Sequence, residues 1–383
     1  MLTFLKKCSD CIKPIIIIWM MCLCCALWFT SIWAAESDHG LIKEAYSQYL
    51  SLFKQGNYAE SLPYAEKALA LSKSILGDKS KTTGTLSHNY GINLLRVKKA
   101  KQASKVLSDT IALYREIYGS HAPELIAVYV DLGDAMRTAD YQSNWYSKHK
   151  SALSIAKEVY GKDSSYYGML LLELGHIGLI NQAPKSESTI RKGYKILKNL
   201  DSSNSDMSRV EFIMGKLELS NLNYKDAREH FESSLNFLNE NDSSINFELS
   251  VRAFLVETLE NLNESELATE HLLEIGRKQS EGGTANLEPL FIKKPSFPSS
   301  VNKQQTGSHL NVKKINEGTV ALEYDVDEKG FTCNIRVIFL DGPNDYVEPA
   351  IEAVRQFRYA PRFVDGEPVV VRGLTYKFNF LLQ

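Results

Sequence analysis

The chain has 383 residues, of which 44% are hydrophobic and 23% charged, with a formal net charge of −2. That length allows two or three domains, and the composition is that of an ordinary soluble globular protein. The near-neutral balance gives no electrostatic footing for nucleic acid as a partner.

Lys6, Lys7 and Lys13 precede an apolar run from Pro14 to Ala35, "PIIIIWMMCLCCALWFTSIWAA". Positive charge ahead of such a run directs the following chain across a membrane. Residues 1–35 are therefore expected to be a signal peptide or an N-terminal anchor. Ala34 and Ala35 offer small residues for cleavage, and the run is also long enough to span a bilayer. Either outcome places the rest of the chain outside the cytoplasm, in the periplasm, anchored in the inner membrane if residues 14–35 are retained. Cys8, Cys11, Cys22, Cys24 and Cys25 all fall in this leader. Cys333 alone lies beyond it, so no intramolecular disulfide framework is expected.

From residue 36 to 278 the sequence repeats. Gly77, Gly119 and Gly161 stand 42 residues apart, and so do Gly91, Gly133 and Gly175. The second series sits inside helical patterns such as "LSHNYGINLL", where glycine costs about 1 kcal/mol against alanine, so its recurrence predicts close helix packing. Apolar residues recur at helical spacing between these marks: Leu62, Ala65, Ala68, Leu69 and Ser72, then Val106, Leu107, Ile111 and Tyr114, then Leu153, Ala156 and Tyr160. Breaks at Gln55-Gly56-Asn57, Lys98-Lys99 and Ala139-Asp140 divide the pattern into about six helix hairpins. Each needs its neighbours to bury its apolar face. Trp145 and Glu187 stand where a small residue is expected, so the third and fourth repeats diverge.

Periodicity stops over residues 279–311, where Gly282-Gly283, Pro289, Pro295 and Pro298 mark a linker. Beyond it the period changes to two. Val320, Leu322, Tyr324 and Val326 alternate with polar residues. Asp327 to Gly330 makes a turn, and Phe331, Cys333, Ile335, Val337 and Phe339 form the apolar face of a second strand. Cys333 is expected to be a small buried hydrophobe of that face. Val347, Ala350, Ile351 and Val354 return to helical spacing, with Phe357 beyond. Pro361 stops regular structure, Asp365-Gly366 turns the chain, and a last strand begins at Val369. Leu374, Tyr376, Phe378, Phe380 and Leu382 make its apolar face. The order of strand, strand, helix, strand predicts a small α+β module over 312–383. Arg358 and Arg362 are expected on a solvated rim.

No nucleophile elbow, phosphate loop or metal-binding spacing occurs, and the eight histidines are scattered. Neither an enzyme nor a cofactor is expected.

The repeats resemble the tetratricopeptide repeat in the 42-residue form of kinesin-light-chain-like arrays. "QGNYAESLPYAEKALALSKSILG" carries the match through Gly56, Tyr58, Ala65, Ala68 and Leu69, and "LNYKDAREHFESSLNFL" through Tyr224, Ala227 and Phe231. The C-terminal module resembles the C-terminal domain of the TonB family. Pro295, Phe297 and Pro298 look like that family's lead-in, and "YDVDEKGFTCNIRV" looks like its hairpin. Ala353, Phe357, Arg358, Tyr359, Pro361, Gly366 and Pro368 carry its helix-to-turn motif. The resemblances imply an all-α tetratricopeptide superhelix followed by a small antiparallel α+β domain. They imply capture of an extended receptor segment by β-augmentation along the last strand, at Val369, Val370, Val371, Arg372, Gly373, Leu374, Thr375, Tyr376, Lys377 and Phe378. The implied partners are a TonB-dependent outer-membrane receptor or other envelope proteins, and an inner-membrane motor complex. The implied role is receptor-dependent transport with the repeats as a partner-binding spacer. The alternative is a non-energised periplasmic scaffold for envelope assembly. Two features depart from the TonB pattern: Pro14–Ala35 carries no histidine, and no long proline-rich spacer is present.

Overall fold

The computed structural model describes residues 39–140, 144–200, 204–238, 245–282, 288, 290–291 and 316–382. The expected leader and the Pro295–Pro298 lead-in lie outside the described residues. The chain divides into two compact units, residues 1–167 and 168–383.

The first unit holds three helix hairpins: α1 (39–54) with α2 (Tyr58–Leu76), α3 (Lys81–Arg96) with α4 (Ala100–Tyr118), and α5 (Glu124–Ala139) with α6 (Tyr146–Tyr160). The apolar stripes read from the sequence line its core, with two departures: Tyr160, expected in the third stripe, is exposed, and Leu62, Val106 and Leu153 are only half-buried. Ala68, Ala103, Leu107, Val128 and Ala156 are fully buried. Polar pairs tie the helices together inside that core. Ser72 meets Thr83 at 2.8 Å, Ser87 meets Thr110 at 2.7 Å, and Asn93 meets Ser61 at 2.7 Å. Each pair satisfies groups that would be costly to bury alone.

The two glycine series serve different physical ends. Gly77, Gly119 and Gly161 end α2, α4 and α6 at φ of 85°, 94° and 91°. Those angles are closed to most side chains, so glycine terminates the helix there. The second series has helical angles and no room instead. A methyl group on Gly91 would lie 2.6 Å from the Leu107 side chain, and one on Gly133 2.5 Å from His149. The predicted close packing is between the two helices of one hairpin.

The second unit continues the array with α7 (Ser165–Ile180, nearly all of it in this unit), α8 (Ser186–Lys198), α9 (Asn204–Ser220), α10 (Tyr224–Asn236), α11 (Ile245–Asn261) and α12 (Ser265–Glu281). Gly175 and Gly215 repeat the close-packing rule against Ile190 and Phe231. Val251, Leu255, Leu259, Ala268 and Leu272 close the last core with Phe231. Helix α12 runs three residues past the point where the sequence places the linker, to Glu281.

The C-terminal module follows in the same unit. Its strands are β1 (Asn316–Val326), β2 (Thr332–Asp341) and β5 (Val371–Leu382), antiparallel in the order β2-β1-β5. A short helix, α13 (Val347–Arg355), packs on the sheet. A separate small hairpin joins β3 (Arg362–Val364) to β4 (Glu367–Val369). Val320, Leu322, Tyr324 and Val326 are buried as their alternation predicts, against Ala350, Val354 and Phe357. At the β1–β2 turn, the Asp327 carboxylate accepts from the backbone N–H of Lys329 at 2.9 Å and of Phe331 at 2.8 Å.

Two expectations fail here. The apolar face expected of β2 does not run straight. The register shifts twice against β1, and Asn334 sits at φ 51°. These β-bulges flip the later residues, so Val337 and Phe339 are exposed while Leu340 turns to the core. Cys333 lies before both shifts, opposite Asp325 on the face away from Tyr324 and Val326, and is only half-buried. The last strand also starts later than expected. Val369 belongs to β4, paired with Arg362 across an Asp365-Gly366 turn, and Val371 opens β5.

Two outcomes are expected. At Gly175 the nearest obstacles to a methyl group include the Ile190 backbone nitrogen at 2.9 Å and the Ser186 carbonyl at 3.2 Å, which cannot rotate away. Gly175→Ala should cost about 1–3 kcal/mol in thermal unfolding. Gly91→Ala should cost clearly less, because Leu107 is a flexible side chain and alanine favours the helix by about 1 kcal/mol. The second outcome concerns pH. Burial lowers the pKa of His176 and His271 to about 4, and lowers that of His149 as well. His271 Nδ1 faces the Arg252 guanidinium at 3.1 Å, an arrangement that suits only a neutral ring. The unfolded chain binds these protons near pH 6.5, where the native state refuses them. Stability is thus complete above pH 6.5 and falls as pH drops from 6.5 towards 4. Melting temperatures across that range should show the decline, and His271→Gln should make it shallower.

Candidate protein-interaction site

The expected binding strand lies at one edge of the sheet. β5 pairs with β1 on one side, and among the described residues no strand pairs with its other side. From Leu374 opposite Tyr324 to Leu382 opposite Asn316 the register advances without a break. Leu374, Tyr376 and Phe378 turn to the core, and Arg372, Thr375 and Lys377 are exposed. Gly373 donates its N–H to the Asp325 carboxylate at 3.0 Å. The Asn334 amide, and after it that bond, hold the Asp325 carboxyl below its usual pKa. Val371 pairs with Val326, while Val370 lies exposed between β4 and β5.

The motif residues before the strand anchor it. Phe357 is fully buried, edge-on to Tyr376 with ring centroids 5.0 Å apart. The Tyr359 hydroxyl meets that of Tyr324 at 2.5 Å, and burial drives the Tyr359 pKa far above the usual tyrosine range. The Tyr359 carbonyl lies 2.1 Å from where a Gly330 side chain would begin, and Gly330 has φ 83°. Only glycine fits both demands. Gly366, at φ 84°, completes the β3–β4 turn.

Arg358 overturns its expected place on a solvated rim. Its side chain is 1% exposed. The guanidinium forms an ion pair with Glu260 of α11 and donates to Thr269 Oγ1 of α12 at 2.7 Å. It also donates to the Lys329 carbonyl at 3.3 Å, and its Cζ lies 3.7 Å from the Phe331 ring centroid. The Arg358 backbone pairs with Phe291, and its carbonyl accepts from Leu290 N–H at 2.8 Å. Leu290 in turn packs on the core of α10–α12. Arg358 therefore joins the last repeat hairpin to the sheet module. Gly276 of α12 extends the joint, since a side chain there would strike the Pro361 carbonyl at 2.1 Å. Ser280 donates to the Phe363 carbonyl at 3.3 Å. Arg362, by contrast, is exposed as expected.

Glu260, Thr269, Gly276 and Phe363 carry no sequence signal for this role, except that Gly276 is a helical glycine outside the 42-residue series. Beside the ion pair runs a polar cleft of about 390 Å³, lined in part by Asn261, Asn263, Glu352 and Arg355. Among the described residues no three His, Cys, Asp or Glu side chains gather as a metal ion requires. Burial and the nearby Asp325, Asp327 and Glu328 raise the Cys333 pKa, which disfavours a reactive thiolate. No described helix is long and apolar enough to cross a membrane.

Residues 50–116 match the tetratricopeptide repeat model, and residues 311–382 match that of the Gram-negative bacterial TonB protein C-terminal. The chain joins tetratricopeptide repeats to a TonB C-terminal domain. No curated protein matches it. Among solved structures it is similar to BtubC from P. vanneervenii, at 13% identity and a TM-score of 0.47, covering 72% of this chain and 99% of that one. It is also similar to pilF of Pseudomonas aeruginosa, at 13% identity and a TM-score of 0.40, covering 64% and 94%. A third is a kinesin light chain with tetratricopeptide-like repeats from Podosopora anserina, at 10% identity and a TM-score of 0.34, covering 64% and 97%.

The joint between the repeats and the TonB C-terminal domain gives a sharp energetic expectation. Removing one partner of a buried ion pair strands the other, at a cost of about 3–5 kcal/mol. Arg358→Ala and Glu260→Ala should each lower stability by that order in denaturant unfolding. The double variant Glu260→Leu with Arg358→Met should recover much of the loss, because no charge is left buried.

Proposed function

We propose that the protein works outside the cytoplasm as a TonB-like adaptor. It captures an extended segment of an outer-membrane receptor along β5 and supports receptor-dependent transport. The repeats act as a spacer that binds further envelope proteins. The observation that carries this reading is the contrast between the two sheet edges. β2 is interrupted by two bulges, a common device for making an edge unfit to pair. β5 has one shift, at Arg372-Gly373, and from Leu374 to Leu382 it keeps a continuous register and leaves its outer backbone groups unpaired among the described residues. A regular open edge templates another strand, and main-chain hydrogen bonds supply the affinity. Both domain types fit protein–protein interaction in the envelope. A non-energised envelope scaffold is the second reading, and the rigid joint at Arg358 suits it equally well.

A capture experiment separates the two. The bait is the chain from Glu36 onward, presented to detergent-solubilised outer membrane. Successive residues of a strand direct their N–H groups to opposite sides. Of Thr375→Pro and Tyr376→Pro, one therefore removes a donor from the open edge and the other breaks the β1–β5 ladder. The wild type should recover a barrel receptor. The variant that keeps its melting temperature should lose it. Recovery of only soluble or inner-membrane proteins, unchanged by either proline, rules out strand capture and leaves the scaffold.

A further inference from the structure

Among the described residues of the second unit, Lys216 is a half-buried cation without a carboxylate partner. Arg191, Arg228, Arg252 and Lys278 each reach a carboxylate: Glu218, Glu264, Glu248 and Glu248 respectively. Lys216 on α9 makes no ion pair among the described residues. Its ammonium lies 4.8 Å from the ring centroid of Phe254 on α11 and 5.5 Å from that of Phe212 on its own helix. Phe247 stands edge-on to Phe212 at 5.2 Å, and Phe212 lies 5.6 Å from Phe254. All three rings are partly exposed, and each packs its inner side on the core of α10–α12. Burial alone lowers the Lys216 pKa, and no carboxylate opposes that fall.

Two further nitrogen-bearing side chains lie near Lys216, and neither supplies it with a carboxylate. On α9, two turns before Lys216, Arg209 binds Glu173 of α7 at 3.0 Å. His176, also on α7, is held neutral by burial and by the positive charges of Lys216 and Arg209. Its Nε2 is buried without a hydrogen-bond partner. The aromatic faces offset part of the hydration that Lys216 has lost, yet a ring is a weaker partner than a carboxylate. α7, α9 and α11 are the first helices of consecutive hairpins, so these residues lie along successive repeats and not within one hairpin core.

We propose that Lys216 with Phe212, Phe247 and Phe254 is a docking point for an acidic, apolar polypeptide segment of a partner protein. The partner presents an Asp or Glu carboxylate to the Lys216 ammonium. Its flanking aliphatic or aromatic side chains cover the three phenylalanine rings. This deepens the reading of the repeats as partner-binding and does not depend on the β5 edge.

The test is fluorescence anisotropy with a labelled thirteen-residue probe, GSFELFELFELSG, and a second probe in which every Glu is replaced by Gln. The Glu probe should bind the protein at least tenfold more tightly than the Gln probe. Lys216→Met keeps the apolar stem and deletes the charge. It should bring the Glu probe down to the level of the Gln probe while the melting temperature holds or rises. Phe254→Leu should weaken both probes alike. The proline variant that removes a donor from the open β5 edge should bind the Glu probe as the wild type does, so failure at β5 and failure here are told apart. Equal binding of the two probes, no binding of either, or a Lys216→Met protein that binds the Glu probe unchanged overturns the proposal.

Discussion

The architecture of the second unit turns on one buried charge. A guanidinium taken out of water loses its hydration, and that loss is repaid only where geometry supplies a full set of partners. Arg358 finds Glu260, Thr269 and the Lys329 carbonyl in one place, with the Phe331 face beneath it. Two of those partners belong to repeat helices and two to the β1–β2 hairpin. Both terminal nitrogens of the guanidinium are satisfied only with both fold types in position, while Nε is buried without a hydrogen-bond partner. Arginine suits the task because its planar fork donates in several directions and stacks on a ring at once, which lysine cannot do. The helical array and the sheet therefore meet in a fixed register and not across a loose tether.

That joint also ends the array. A repeat stack exposes an apolar face at its last hairpin and needs a cap. Here Leu290 covers the core of α10–α12, and Pro361 and Phe363 close on Gly276 of α12. The cap is the C-terminal domain together with the Leu290 segment that precedes it, so the terminal repeat is covered from within the chain. The absence of a side chain at Gly276 sets how closely the two approach.

Much of this was legible in the sequence, and the failures have physical causes. Helix hairpins follow from apolar spacing, and the 42-residue glycine steps already separate helix ends from helix contacts. The alternation of Val320, Leu322, Tyr324 and Val326 gives β1 correctly because a central strand has neighbours on both sides and keeps its pleat. β2 is an edge, and an edge tolerates bulges that shift alternation midway. Val337 and Phe339 thus read as buried and are not. Asn334 at φ 51° is the residue type that accepts such a bend, yet nothing local demands that it bend there. Arg358 was misread for a different reason. Between Phe357 and Tyr359 it looks like a polar residue on the outer face of a helix end. Its partner Glu260 lies 98 residues earlier in another fold type, beyond the reach of any periodicity.

The burial of Arg358 also limits what a partner can use. A basic residue in an aromatic motif invites assignment as a recognition group, but here it is spent within the chain. Among the described side chains of the last strand, Arg372, Thr375, Lys377 and Asn379 are exposed, with the backbone edge between them. Side chains there tune a partner, and the main chain carries the pairing. The constraint runs inward as well. Phe357 and Tyr359 flank Arg358 and hold Tyr376 and Tyr324, so the segment that fixes the domain to the repeats also fixes the floor beneath β5. An open edge stays in register only if the sheet behind it is rigid. In this chain that rigidity and the attachment to the repeats arise from three consecutive residues.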